Sequence, residues 1–418
     1  MKKIIVSLLL ANVLFAQNTN SAEEEKKALS KLIQTFRMIQ ANYVDEISIN
    51  DLVDKSLEGL LSNLDAHSAF LNEKSFKSLQ ESTNGEFGGL GITLGLKDNA
   101  LTIIAPIEGT PADLAGIKAG DVILKIEDES TLGMSLDDAV SKMRGKPKTK
   151  INITIYRAGE KKPIVFNITR DIIKVQSVYT KKIQDSNDLY IRISSFDKNV
   201  VSEVKKALKE NPKASGIVLD LRNNPGGLLN QATDLLNLFI DKGVLVTQKG
   251  RDEKAKIDTL ALKQAALNTK IPIAVLVNGG SASASEIVSG ALQDTKRAVI
   301  VGEKTFGKGS VQMIKEINNK EALKLTIAKY YLPSGRTIQA VGITPDIEVF
   351  PGKVNTTSNE FSLKESELKK HLENELIKID NKNVKKTDEK NTITLENINN
   401  DIQLKTAIDV LKVLKIKG

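Results

Sequence analysis

The chain has 418 residues, with 60 Lys and Arg against 52 Asp and Glu for a formal net charge of +8, two histidines and no cysteine. That length calls for more than one domain, and the lack of cysteine excludes disulfides, a thiol nucleophile and a lipid-modified cysteine. Aromatic residues are 4% of the chain and the charge is dispersed along it, which argues against a nucleic-acid partner.

Met1, Lys2 and Lys3 precede a short apolar run from Ile4 to Ala16, the pattern of a secretory signal. Cleavage is expected after Ala16. Leu14 is larger than such a site favours, so an uncleaved anchor is the alternative, although the run is short for a full membrane helix. The expected location is therefore the periplasm or cell envelope. Leu29, Leu32, Ile33, Phe36, Ile39 and Tyr43 fall at helical spacing, as do Leu52, Val53, Leu57, Leu60, Leu61 and Leu64, which predicts two amphipathic helices.

Gly85–Ile92 is a glycine-rich loop leading into a strand, and Gly109–Asp121 precedes a second strand, Val122–Ile126. Together they resemble a PDZ domain, expected over residues 85–171. In such a domain the N–H groups of Leu90, Gly91 and Ile92 hold a terminal carboxylate while the adjoining strand edge pairs with an incoming tail. A helix from Leu136 to Met143 would offer Val140 and Met143 to an apolar last side chain, although both also suit a core. Arg170 stands where this domain ends, a position that suggests a part in coupling tail binding to whatever follows.

From Asp188 strands alternate with helices: Leu189–Ile193, Val200–Leu208, Gly216–Leu221, then Asp220–Gly227 and a helix to Phe239. The buried strand Ile271–Val277 runs into Asn278–Glu286, which places Ser281, Ser283 and Ser285 on a strand-to-helix corner. There, free N–H groups and the helix dipole favour negative charge, as an acyl-transfer site requires. His67 and His371 are poorly placed as bases, so a serine–lysine pair is the arrangement left to a hydrolase. Lys308 lies in Phe306–Gly309, where flanking glycines allow close backbone approach and the aromatic ring could exclude water. Taken singly, that segment also fits a surface turn, and Ser283–Glu286 an ordinary capping box.

Taken together, Gly280–Ile287 and Thr305–Gln312 resemble the carboxyl-terminal processing peptidases, tail-specific serine proteases with a PDZ domain. The resemblance runs from about Tyr43 to Val349. It implies Ser283 as nucleophile, Lys308 as general base and Gln312 as the residue orienting the lysine; spacing alone does not choose among the three serines. It also makes Asp220–Gly227 the oxyanion loop, with one donor at Gly226 or Gly227 and the other at Ala284. Leu64–Leu71 resembles the family's Leu-Asp-Pro-His-Ser segment, with Ala66 in the proline's place, and His67 reads as a structural contact.

The expected architecture is α/β and multidomain: a signal and mature N-terminus (1–22), a helical N-terminal segment (23–84), the PDZ domain, an α/β catalytic core (172–352), and a polar linker with a helical C-terminal segment (353–418). Helices are expected at 363–379 and 404–416. The implied activity is an exported serine endopeptidase that needs no metal or other cofactor and takes unfolded or flexible C-terminal tails. A homodimer through the N-terminal helices and an adaptor are further partners the resemblance allows. An idle PDZ scaffold, or an acyl hydrolase of non-peptide substrates, are the competing readings.

Overall fold

The computed structural model describes residues 2–97, 100–252, 255–354 and 391–416, without the side chains of 2–21 and Asp137. The helix expected at 363–379 lies outside the described residues. The chain divides into two compact units, residues 1–76 with 312–326, and residues 77–311 with 327–418. Among the described residues no helix is long and apolar enough to cross a membrane.

The first unit opens with α1 (Lys2–Asn42) and α2 (Ile49–Ser62), the second started by Ser48, whose hydroxyl accepts from Asp51 N–H. The short strand β1 (Ala69–Leu71) follows, then α3 (Glu73–Asn84), which leads into the second unit. β1 pairs antiparallel with residues 322–324. The expected partition kept residues 312–326 with the catalytic core. The contacts group them with the N-terminal helices, because strand pairing joins positions some 250 apart that no local periodicity connects.

In the second unit, β2 (Glu86–Gly89), β3 (Ile92–Lys97), β4 (Ala100–Pro106), α4 (Pro111–Leu114), β5 (Val122–Ile126), β6 (Glu129–Ser130), α5 (Leu136–Met143), β7 (Lys150–Tyr156), β8 (Ile164–Thr169) and β9 (Asp171–Lys174) form the PDZ region. Its main sheet has the order β3-β4-β5-β7-β8, so β3 is an edge strand, and α5 packs against it. Ile103, Ile123, Ile153 and Ile155 fill its core.

The α/β core contains β10 (Val178–Ile183), β11 (Leu189–Ile193), α6 (Val200–Glu210), β12 (Ile217–Asp220), α7 (Leu229–Asn237), β13 (Val244–Lys249), β14 (Lys256–Leu260), β15 (Ile273–Val277), α8 (Ala284–Asp294) and β16 (Val299–Gly302). β17 (Ser310–Glu316) and β18 (Ala322–Tyr331) pair with each other, and β18 continues to β13. After β19 (Ile347–Glu348) come β20 (Thr392–Ile393), α9 (Leu395–Asn399) and α10 (Ile402–Ile416). The seven-stranded sheet β19-β16-β15-β12-β11-β10-β20 is parallel through its centre. Such a sheet must be covered on both faces. One apolar cluster buries residues of α6, α7 and α8, and another buries Leu404, Ala407, Ile408 and Leu411 of α10. Every residue of β12 and β15 is buried.

Candidate active site

β15 is wholly apolar and is followed by Asn278, whose side-chain oxygen accepts from Gly280 N–H (3.0 Å) and Asn223 N–H (2.9 Å). The chain then turns through Ser283, the residue preceding α8, at φ +54° and ψ −111°. A non-glycine residue is rarely held there, and such strain concentrates at functional corners. The three serines separate. Ser281 and Ser285 are fully buried, their hydroxyls donating to Leu221 O (2.8 Å) and Asn224 O (2.9 Å); Ser283 keeps 9% of its surface exposed. The two flanking hydroxyls thus fasten the corner to the loop after β12.

Glu286, fully buried, is the residue around which the site is assembled. Its Oε2 accepts from Ser283 N–H (2.8 Å) and Lys308 N–H (2.8 Å), and its Oε1 from Thr305 Oγ1 (2.6 Å) and Gly307 N–H (2.7 Å). One carboxylate therefore joins the serine corner to the lysine loop, and four donors around it suit an ionised acceptor. The Ser283–Glu286 spacing gave only the first of these bonds. The other three reach 19 to 22 residues ahead and left no local signal.

Lys308 is half-buried, and both glycines beside it are needed. Gly307 has φ +98°, and a Cβ on Gly309 would stand 2.5 Å from Gln339 N. Phe306 corrects an expectation. Its N–H is tied to Ser281 O (3.1 Å), but its ring is 66% exposed, so it does not shield the lysine from water. Gln312 lies on β17 in the first unit, where its Nε2 donates to Thr326 Oγ1 (3.4 Å).

In the loop after β12, Gly226 and Gly227 have φ +103° and +145°. Added to Gly226, a Cβ would meet Ala282 O at 2.8 Å, Ser283 Cβ at 2.9 Å and Ala284 N at 3.0 Å, so this glycine lies directly against the serine corner. Gly226 N–H donates to Asn224 Oδ1 (2.9 Å), and its carbonyl accepts from Phe196 N–H (2.9 Å). The base of the loop is a buried polar network. Asp220 accepts from Arg222 Nη2 (2.7 Å) and Tyr190 Oη (2.7 Å), while Arg222 Nη1 reaches Asp401 (3.1 Å) and Gln403 (3.0 Å) at the start of α10. Burial, with the Asp220 charge beside it, pushes the Tyr190 hydroxyl well above its ordinary pKa.

In the PDZ region the Leu90 carbonyl accepts from Ala112 N–H (2.9 Å) and the Gly91 carbonyl from Ile107 N–H (2.8 Å). A trans peptide points its N–H opposite its carbonyl, so the N–H groups of Gly91 and Ile92 are turned the other way. Gly91 has φ +76°, and a Cβ there would lie 2.4 Å from Thr110. Val140 is half-buried on α5, whereas Met143 is 6% exposed within the domain's own core. Arg170 is not a bare junction residue: it donates to Lys142 O (3.0 Å) and Met143 O (2.9 Å), closing the C-terminal end of α5. His67 donates its backbone N–H to Asp65 (2.8 Å) in a turn of the first unit.

Residues 188–349 match the description of peptidase family S41, residues 102–157 that of a PDZ domain, and residues 10–75 that of the activating protease CtpB N-terminal domain. The chain is 41% identical over 379 residues to a carboxy-terminal-processing protease of Bartonella bacilliformis, covering 88% of this chain and 86% of that protein. It is 38% identical over 331 residues to the carboxy-terminal processing protease CtpA of Bacillus subtilis, covering 78% and 70%. Among solved structures it is similar to the photosystem II D1 C-terminal processing protease, at 26% identity and TM-score 0.46 over 78% of this chain and 94% of that one.

Proposed function

Because the chain belongs to the carboxy-terminal processing serine proteases of peptidase family S41, with a PDZ domain, we propose that it is an exported endopeptidase working through Ser283 and Lys308. The observation that carries this reading is the Glu286 carboxylate, which fixes the backbones of both residues on one oxygen atom while the neighbouring serines are spent on structure.

Ser283 Oγ attacks the scissile carbonyl and Lys308 Nζ takes its proton, then returns it to the leaving amine; water resolves the acyl-enzyme by the same route in reverse. A free lysine is almost wholly protonated at neutral pH. Displacement of water by a bound substrate lowers the pKa of a lysine base. Gly226 N–H is occupied by Asn224 Oδ1, so the oxyanion donors are the N–H groups of Gly227 and of Ala284 in the first turn of α8. The tail adds as a strand along β3, its carboxylate on the N–H groups of Gly91 and Ile92 and its last side chain beside Val140.

The test is cleavage of an unfolded reporter with an apolar C-terminal tail by the intact protein, Ser283→Ala and Lys308→Ala. Loss of cleavage in both folded variants supports the dyad. Tail binding without cleavage by the intact protein would leave a scaffold instead. Export is tested by fractionation of cells expressing the full chain.

A further inference from the structure

Lys270, Lys296 and Arg297 line one cleft of about 380 Å³ together with Gln293 and Asp346. It lies where β15 and β16 begin, since Ile273 and Val299 line it, whereas Ser283 follows the far end of β15. Arg297 is held by two carbonyls, its Nε on Phe239 O (3.0 Å) and its Nη2 on Asn268 O (3.0 Å). Burial lowers its pKa to about 10, with no carboxylate offsetting the cost. The one acid in the cleft, Asp346, is already occupied: Oδ1 accepts from Gln293 Nε2 (2.8 Å) and Oδ2 from Ile300 N–H (2.8 Å). Lys296 sits at φ +54°, just past the end of α8, where glycine is the usual residue.

We infer that this cleft binds a phosphate-class dianion. Three cationic side chains line a site whose single carboxylate is satisfied from within, so the lining carries two surplus positive charges. A phosphate or phosphate monoester, carrying close to two negative charges at neutral pH, balances them, and a single carboxylate does not. The guanidinium, held by two carbonyls, is pre-oriented to give its remaining N–H groups to phosphate oxygens. A free phosphate and a phosphomonoester lipid headgroup present the same chemistry. The inference is independent of the proposed catalytic residues.

The experiment is calorimetric titration of the full chain with inorganic phosphate at constant ionic strength, alongside co-sedimentation with phosphatidic acid or phosphatidylcholine vesicles. One phosphate per chain is expected, with affinity falling roughly tenfold or more in Arg297→Gln and by a smaller factor in Lys296→Gln. Because Arg297 also braces the fold, the Lys270→Gln, Lys296→Gln double variant serves if Arg297→Gln does not fold. Binding of free phosphate that these variants weaken supports a soluble phosphate ligand. Binding only to phosphatidic acid vesicles, lost in the same variants, supports a headgroup. Binding to neither, or binding unchanged in the variants, overturns the site.

Discussion

Glu286→Gln is the most direct probe of the assembly. An amide can keep its oxygen toward Ser283 and Lys308, which turns its NH2 toward Thr305 and Gly307. The Thr305 hydroxyl can rotate to accept, but Gly307 N–H cannot, and a buried unpaired N–H costs about 1–3 kcal/mol. The surviving bonds change from charged to neutral acceptors and weaken by about 1 kcal/mol each. The total, roughly 3–5 kcal/mol, is comparable with the whole stability of a domain at about 5–15 kcal/mol, so the lysine loop relieves it by moving off the serine corner. A displacement of about 1 Å at reacting groups costs on the order of a hundredfold in rate. Steady-state cleavage of the unfolded reporter should therefore show kcat/KM reduced by about a hundredfold or more, with circular dichroism showing a folded protein. If Glu286→Gln cleaves within about threefold of the parent, less than 1 kcal/mol of barrier, the carboxylate does not hold the pair in register.

Gly226→Ala drives a methyl group into Ala282 O and the Ser283 corner, and should remove cleavage while leaving tail binding intact, as read by fluorescence anisotropy of a labelled tail peptide. Gly91→Ala collides with Thr110 and should do the reverse, weakening tail binding by roughly tenfold or more. Asp65 carries a pH prediction for the first unit. The Ser68 hydroxyl above all, then the N–H groups of His67 and Ser68 and the Thr326 hydroxyl, hold its pKa down to about 2. A depressed acid contributes stability above its unfolded value near 3.8 and loses it as pH falls through about 2. Thermal melts should therefore flatten between about pH 4 and pH 2 in Asp65→Asn, modestly because the group is half-exposed; an unchanged slope would refute the assignment.

The α/β alternation, the PDZ loop and the strand-to-helix corner were legible because each rests on local patterning: β-branched runs, glycine at turns, apolar residues at helical spacing. The choice of Ser283 was not, since all three serines suit a helix start and only their hydroxyl partners, some sixty residues away, divide them. Glu286 showed one bond of four for the same reason. Phe306 was misread because an aromatic beside a lysine says nothing about which way the ring faces. Met143 and Val140 share a helix, and burial alone separates core from groove.

The Asp401 and Gln403 side chains on Arg222, and β20 against β10, mean that the sheet bearing the loop after β12 is completed by residues 391–416. A chain cut before Thr392 leaves the buried Asp220–Arg222 pair open on one side and the apolar face of the central strands uncovered. The loop that lays Gly226 against the serine corner is thereby braced by a segment far along the chain, so a cut that frees residues 391–416 loosens that corner as well.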